Sequence, residues 1–258
     1  MLKHLFSFTI TLALSVGNTF AQLNEGDTLK FQLRASVSGF YQQGNVELLN
    51  IRGRLDFTLM LHKHLVIKSQ NSTLYQAFYG VKADNDIFSR NFIYYKPQRK
   101  LYPFAIAFAS SNYRRSISNR YFAGAGLTYR LLAKQNNGLK LSASAVYEDT
   151  QFSNTLYNFA EYNGDKHIAL WRGTLYASGW TYLVAKQMRL YFDAYWQPAF
   201  DTANNYRTQV DVGLDFPVWK GLSFTILYAF THENVVIENI QQDDTLLTFG
   251  LAYSVKTR

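Results

Sequence analysis

Apolar and polar side chains alternate one by one along most of this chain. Between 206 and 216, Tyr206, Thr208, Val210, Val212, Leu214 and Phe216 fall on one side, with Arg207, Gln209, Asp211, Gly213 and Asp215 on the other. Between 119 and 131, Tyr121, Ala123, Ala125, Leu127, Tyr129 and Leu131 alternate with Arg120, Phe122, Gly124, Gly126, Thr128 and Arg130. The segments 47–61 and 220–232 repeat the pattern, Leu227 being the exception in the second. A period of two is that of a β-strand whose faces meet different surroundings. No window carries a sustained helical stripe. The pattern predicts strands at 29–41, 46–60, 65–79, 87–96, 101–110, 119–131, 138–148, 169–183, 187–197, 206–216, 221–231 and 245–255. Most exceed the roughly 5–6 residues usual in globular proteins and suit the roughly 9–11 that a tilted strand needs to cross a bilayer.

The connections alternate as well. Those after even-numbered strands are tight, at 61–64, 97–100, 133–137, 184–186 and 217–220. Those after odd-numbered strands, at 80–86, 111–118, 149–168, 198–205 and 232–244, are longer and more polar, 42–45 alone being short. Short turns at one end and long loops at the other belong to outer-membrane barrels, and a Greek-key sandwich has no reason to alternate so. The predicted fold is all-β: a transmembrane antiparallel up-and-down barrel of about 12 strands, with both termini periplasmic.

Composition narrows the function. With 48% hydrophobic and 17% charged residues the chain is not disordered, and without cysteine it has neither a disulfide framework nor a Cys-based metal site. Lys3, the apolar run Leu5 to Val16 and Thr19-Phe20-Ala21 form a secretory leader over 1–21, leaving 22–258 as one barrel domain. The formal charge of +8 would suit nucleic acid, but an exported chain rarely meets it. The charges instead follow the connections. Tight turns carry Lys63, Arg99, Lys100, Lys134 and Lys220, whereas the long loops hold Asp84, Asp86, Asp149, Glu161, Asp165, Asp201, Glu233, Glu238, Asp243 and Asp244. A basic rim is either solvated or drawn to phospholipid headgroups.

The strand patterns also carry a resemblance. Ser38-Gly39-Phe40-Tyr41-Gln42-Gln43-Gly44-Asn45-Val46, Gly124 to Leu131, Leu141 to Glu148 and Asp243 to Val255 resemble a bacterial family of unknown function, the salt-induced outer-membrane proteins. The resemblance implies a single outer-membrane barrel, with outer-membrane lipids and the barrel-assembly machinery as partners and no activity to carry over. The chain departs from such barrels in closing on Lys256-Thr257-Arg258 rather than on an aromatic residue.

Chemistry is sparse. His62 and His64 share a tight turn, His167 lies in the longest loop beside Asp165, and His232-Glu233 opens the last loop. No nucleophile elbow, phosphate-binding or dinucleotide motif occurs, so the expectation is no catalytic residue, no metal and no cofactor. Arginine or lysine facing lipid near mid-membrane costs about 2–4 kcal/mol, so strand charges must face inward. Parity puts Arg34, Arg52, Arg54, Asp56, Glu148, Arg172, Asp193, Arg207, Asp211 and Asp215 in the lumen. They form either an ion-paired plug or a basic constriction selective for anions. The expected role is therefore structural or a narrow anion-leaning pore. An outer-membrane lipid hydrolase and a surface-loop binding protein stand as alternatives.

Overall fold

A computed structural model describes residues 25–26, 29–134, 136–184, 187–202 and 204–257. The expected leader 1–21 lies outside the described residues, as do Ala185 and Lys186 of one expected turn. The strands are β1 (Phe31–Gln42), β2 (Leu48–His62), β3 (Leu65–Phe78), β4 (Val81–Tyr95), β5 (Leu101–Asn112), β6 (Ile117–Lys134), β7 (Asn137–Phe152), β8 (His167–Leu183), β9 (Met188–Pro198), β10 (Tyr206–Trp219), β11 (Leu222–Glu233) and β12 (Asp243–Thr257). Each pairs antiparallel with its chain neighbours, and β1 pairs with β12 to close the ring. This is the predicted twelve-stranded up-and-down barrel. Closure removes every free strand edge over the paired length, which a strand needs where no water can satisfy its amides.

One predicted connection is wrong. Residues 80–86 are not a loop, because β4 begins at Val81. Tyr79 (φ 49°) and Gly80 (φ 72°) alone make the β3–β4 turn, both in the left-handed region that a tight hairpin twisting with its strands requires. Lys82, Asp84, Asn85 and Asp86 read as loop because they are polar, but in this barrel polar residues also line strands. Asp84 is buried. The other long connections tighten to 113–116, 153–166, 199–205 and 234–242. Two ends result: a turn end, with the even-numbered connections, and a loop end.

Parity separates two environments. Arg120, Phe122 and Thr128 of β6 are buried, while Tyr121, Leu127 and Tyr129 between them are exposed. Outward apolar residues remain open around the ring: Val37 is 65% exposed, Leu55 44%, Leu175 56% and Leu251 55%. A water-soluble monomer does not expose so continuous an apolar belt. The belt is matched to hydrocarbon, and the barrel spans a membrane. The inward glycines Gly124 and Gly126 allow the β6–β7 approach: a Cβ on Gly124 would lie 2.0 Å from the Ala145 carbonyl oxygen, and one on Gly126 2.2 Å from that of Ala143.

The belt has a polar interruption. On β3 and β4, Ser69 pairs with Asn91 and Asn71 with Ser89 in register. Their side chains form a short ladder: Ser89 Oγ donates to Asn71 Oδ1 at 2.8 Å, and Asn91 Nδ2 donates to Ser89 Oγ at 3.0 Å. Asn71 Nδ2 donates to the Leu55 carbonyl at 3.2 Å.

At the loop end, 153–166, 199–205 and 234–242 fold together over the barrel. Tyr157 bridges to Ile237, and Ile117, Phe152, Ile168, Leu170, Ala199 and Val235 complete a buried apolar cluster. Asn158 Nδ2 donates to the Asn234 carbonyl at 2.7 Å, while Asn158 Oδ1 accepts from Val236 N–H at 2.9 Å.

Candidate functional site: the charged lumen

Directly beneath that cap lies a dense cluster of buried charge. Glu148 of β7 is 1% exposed, and its carboxylate faces Arg207 Nη2 at 2.5 Å, Arg172 Nε at 3.2 Å and Arg120 Nε at 3.8 Å. Arg120 also grips Glu233 with both terminal nitrogens at 2.8 Å. Arg115 pairs with Asp244 at 2.7 Å, and Arg114 bridges Asp244 at 3.0 Å and Asp84 at 3.4 Å. Arg172 donates to the Asn205 carbonyl and side-chain oxygens at 3.1 and 2.8 Å, tying the lattice to a cap loop. The network crosses the bore from β6 and β7 to β10 and β11. Buried charges persist only when paired, and here each lies within ion-pair distance of an opposite charge, although Glu148 Oε2, Arg172 Nε and Arg207 Nη2 make no hydrogen bond.

The middle of the bore is looser. Asp215, fully buried, is shared by Arg34 and Arg189 at 2.8 Å each. Arg54 pairs with Asp56 at 2.9 Å. Asp193 accepts a hydrogen bond from Tyr176, and Asp211 one from Gln209 Nε2 at 3.1 Å. Arg52 has no carboxylate within ion-pair distance among the described residues, and its Nε makes no hydrogen bond. A small cavity of about 50 Å³, open in part, lies beside Arg34, Arg52, Arg54, Arg189 and Lys68. Arg90, nearer the turn end, rests on the rings of Phe88, Phe108 and Tyr195 at 5.5–5.8 Å.

The turn end is stoppered by a residue outside the strands. Glu25 is fully buried between Lys140 and Lys68, the latter at 3.8 Å, and accepts a hydrogen bond from Tyr102 Oη at 3.0 Å. Burial alone would push its carboxyl up, but the two ammonium groups outweigh that and hold it at about 2. Beside it pack Val66 and the aromatic residues Phe92, Tyr94, Tyr102 and Phe104, which fill the bore instead of girdling the outside.

Strand parity could have found Lys68 and Lys140, each on the polar side of a predicted strand, whereas Glu233 fell just past one, in a predicted loop. Glu25 and Arg115 had no such signal, because neither lies in an alternating segment.

Among the described residues the histidines make no catalytic set. His232 Nδ1 lies 2.7 Å from Asp243, but its Nε2 is buried without a hydrogen-bond partner, so no nucleophile is held against it. His167 and Asp149 are 3.6 Å apart and both exposed. Among the described residues no group of three potential metal ligands occurs.

Barrels of similar shape are known at low identity. They include the translocator domain of autotransporter NalP from Neisseria meningitidis (9% identity, 88% of this chain and 89% of that one, TM-score 0.45). An outer-membrane channel from Pseudomonas putida F1 has 11% identity over 94% and 100% of the two chains, with TM-score 0.46. The NanC porin has 8% identity over 88% and 99%, also with TM-score 0.46. The sequence matches no curated protein. Residues 35–255 match the family described as "Protein of unknown function, DUF481", and the chain belongs to that family.

Proposed function

We propose that this protein is an outer-membrane barrel that rests closed and whose bore leans toward anions when it opens. Both termini are periplasmic in this reading, the loop-end cap faces outward, and the barrel-assembly machinery inserts the chain. Short basic turns at the end shared with the termini support that orientation. The observation that carries the closed state is the lattice on Glu148, where three arginines meet one carboxylate across the section. The anion preference rests on Arg52 and Arg90, lumen cations with no carboxylate in ion-pair reach among the described residues. Fixed positive charge raises the local concentration of anions.

Planar-bilayer recording tests the reading. The unmodified protein is expected to give no steady conductance. Glu148→Gln removes the carboxylate that three arginines share and is expected to give openings that favour chloride over potassium. Adding Arg52→Gln and Arg90→Gln should weaken that preference. Steady current from the unmodified protein would overturn the closed resting state, and potassium preference in the openings would overturn the anion assignment.

A further inference from the structure

On the rim of the turn end, the β2–β3 turn (Lys63-His64) and the β4–β5 connection (96–100) flank an open groove of about 480 Å³. Met60, Lys63, His64, Lys96, Gln98 and Arg99 line it. Four of the six are basic or imidazole, and none of the cations has a carboxylate within ion-pair distance among the described residues. The turn is held in shape by the chain's own charge. Arg130 donates to the carbonyls of Gln98 and Arg99, the latter at 2.7 Å, so these oxygens are occupied and do not cancel the groove's cations. Lys96, at φ 51°, accepts on its carbonyl from Arg99 N–H at 3.0 Å and donates its own N–H to the His64 carbonyl at 2.7 Å, linking the two walls.

The surroundings fix the depth. Tyr95 stands 49% exposed beside the groove, with Lys96 Nζ 4.8 Å from its ring centroid and the His64 ring centroid 6.4 Å away. Leu61 and Leu101, at the adjoining strand ends, are also exposed. An aromatic ring at a strand end with a cation above it marks the boundary between hydrocarbon and headgroup. A cationic groove at this level meets phosphate before anything else.

We infer that this groove is a binding site for a phosphate group, held by Lys63, Lys96 and Arg99 with His64 as a fourth donor. The phosphate comes either from a phospholipid headgroup or from solution. Arginine offers a planar fork and lysine a point charge to the same group of oxygens. The inference does not depend on the state of the bore.

His64 is the reporter. Its imidazole is held below the usual range, first by partial burial and then by the charges of Lys96, Lys63, His62 and Arg99. Among the described residues no carboxylate lies within ion-pair distance of it. A phosphate between these cations adds the missing negative charge and raises the His64 pKa, by roughly one unit for an opposite charge this close. The purified protein is placed in phosphatidylcholine nanodiscs, with or without phosphatidylglycerol, and its histidine ring protons are titrated by NMR, His64→Gln assigning the signal. A rise with phosphatidylglycerol alone, lost in Lys96→Gln/Arg99→Gln, supports a headgroup site. A rise on adding inorganic phosphate to phosphatidylcholine discs, lost in the same variant, supports a site fed from solution. No rise with either, or a rise that survives in the variant, overturns the proposal. The first comparison uses the unmodified protein and is independent of how any variant folds.

Discussion

Glu25 connects one side chain to a property of the whole barrel. It is fully buried, lies between two lysines, and has its carboxyl lowered from 4.5 to about 2. A folded-state pKa below the unfolded one stabilises the fold fully above the unfolded value, and that contribution is lost as pH falls through the folded value. The window is therefore about 4.5 down to about 2, and the contribution at stake is on the order of 3 kcal/mol. The melting temperature of the unmodified protein in detergent is expected to fall across that window. Glu25→Gln is expected to melt lower at neutral pH and to lose less on acidification. Parallel pH profiles for the two proteins would show that the lysines hold no ionised partner there. Nothing near Glu25 in the sequence announces this role. Its neighbours do not alternate, and its partners Lys68, Tyr102 and Lys140 come from three separate strands. Within the strands parity was more informative: an arginine at an inward position of an alternating run has only the bore to occupy.

The elements were legible to the extent that their two faces meet opposite environments. Where lipid lies on one side and polar side chains on the other, as in β6 and β10, the sequence repeats every second residue and strand bounds follow. The failure at 80–86 came from composition. Lys82, Asp84, Asn85 and Asp86 outweigh Val81 and Ala83, and the register slips between Gln76 and Ala77, so the run read as a polar loop although the strand continues. The loops were legible only as long and polar. Their mutual packing was not, because it rests on a few side chains such as Asn158, whose amide mimics a paired backbone. Asn158 joins the 153–166 and 234–242 loops through its own N–H to the Val236 carbonyl at 3.0 Å as well as through its side chain. Asn158→Ala removes both side-chain bonds and is expected to weaken the cap locally by about 1–3 kcal/mol. Limited proteolysis should then cut within 153–166 faster, while the barrel's melting temperature changes little. A large drop in melting temperature would mean that the cap and wall unfold as one unit.

At the scale of the molecule, parity tells which charges face in but not which meet. Arg34 of β1 reaches Asp215 of β10 across the bore, and Glu148 of β7 meets Arg207 of β10. Those partnerships depend on the stagger with which the ring closes, a property of the cylinder and not of any strand. The polar ladder on the outer face is likewise a property of the assembled surface. Asn91 is exposed there and donates one hydrogen bond, to Ser89. Asn91→Leu is expected to stabilise the barrel in vesicles against urea by about 1 kcal/mol, since it removes an amide from hydrocarbon. A loss of stability instead would mean that the ladder faces something other than lipid tails. The closing join holds a last consequence. β1 and β2 pair from Phe31↔Leu59 to Gln42↔Leu48, whereas β1 and β12 pair only from Phe31↔Thr257 to Ser38↔Gly250. A barrel of staves with one join shorter than its neighbour is notched, and a notch concentrates load. Stretching or swelling the cylinder would start a split at the upper end of that join, beside Gly39 and Phe249, and run it downward, so that the wall parts sideways into the bilayer before its ends come loose.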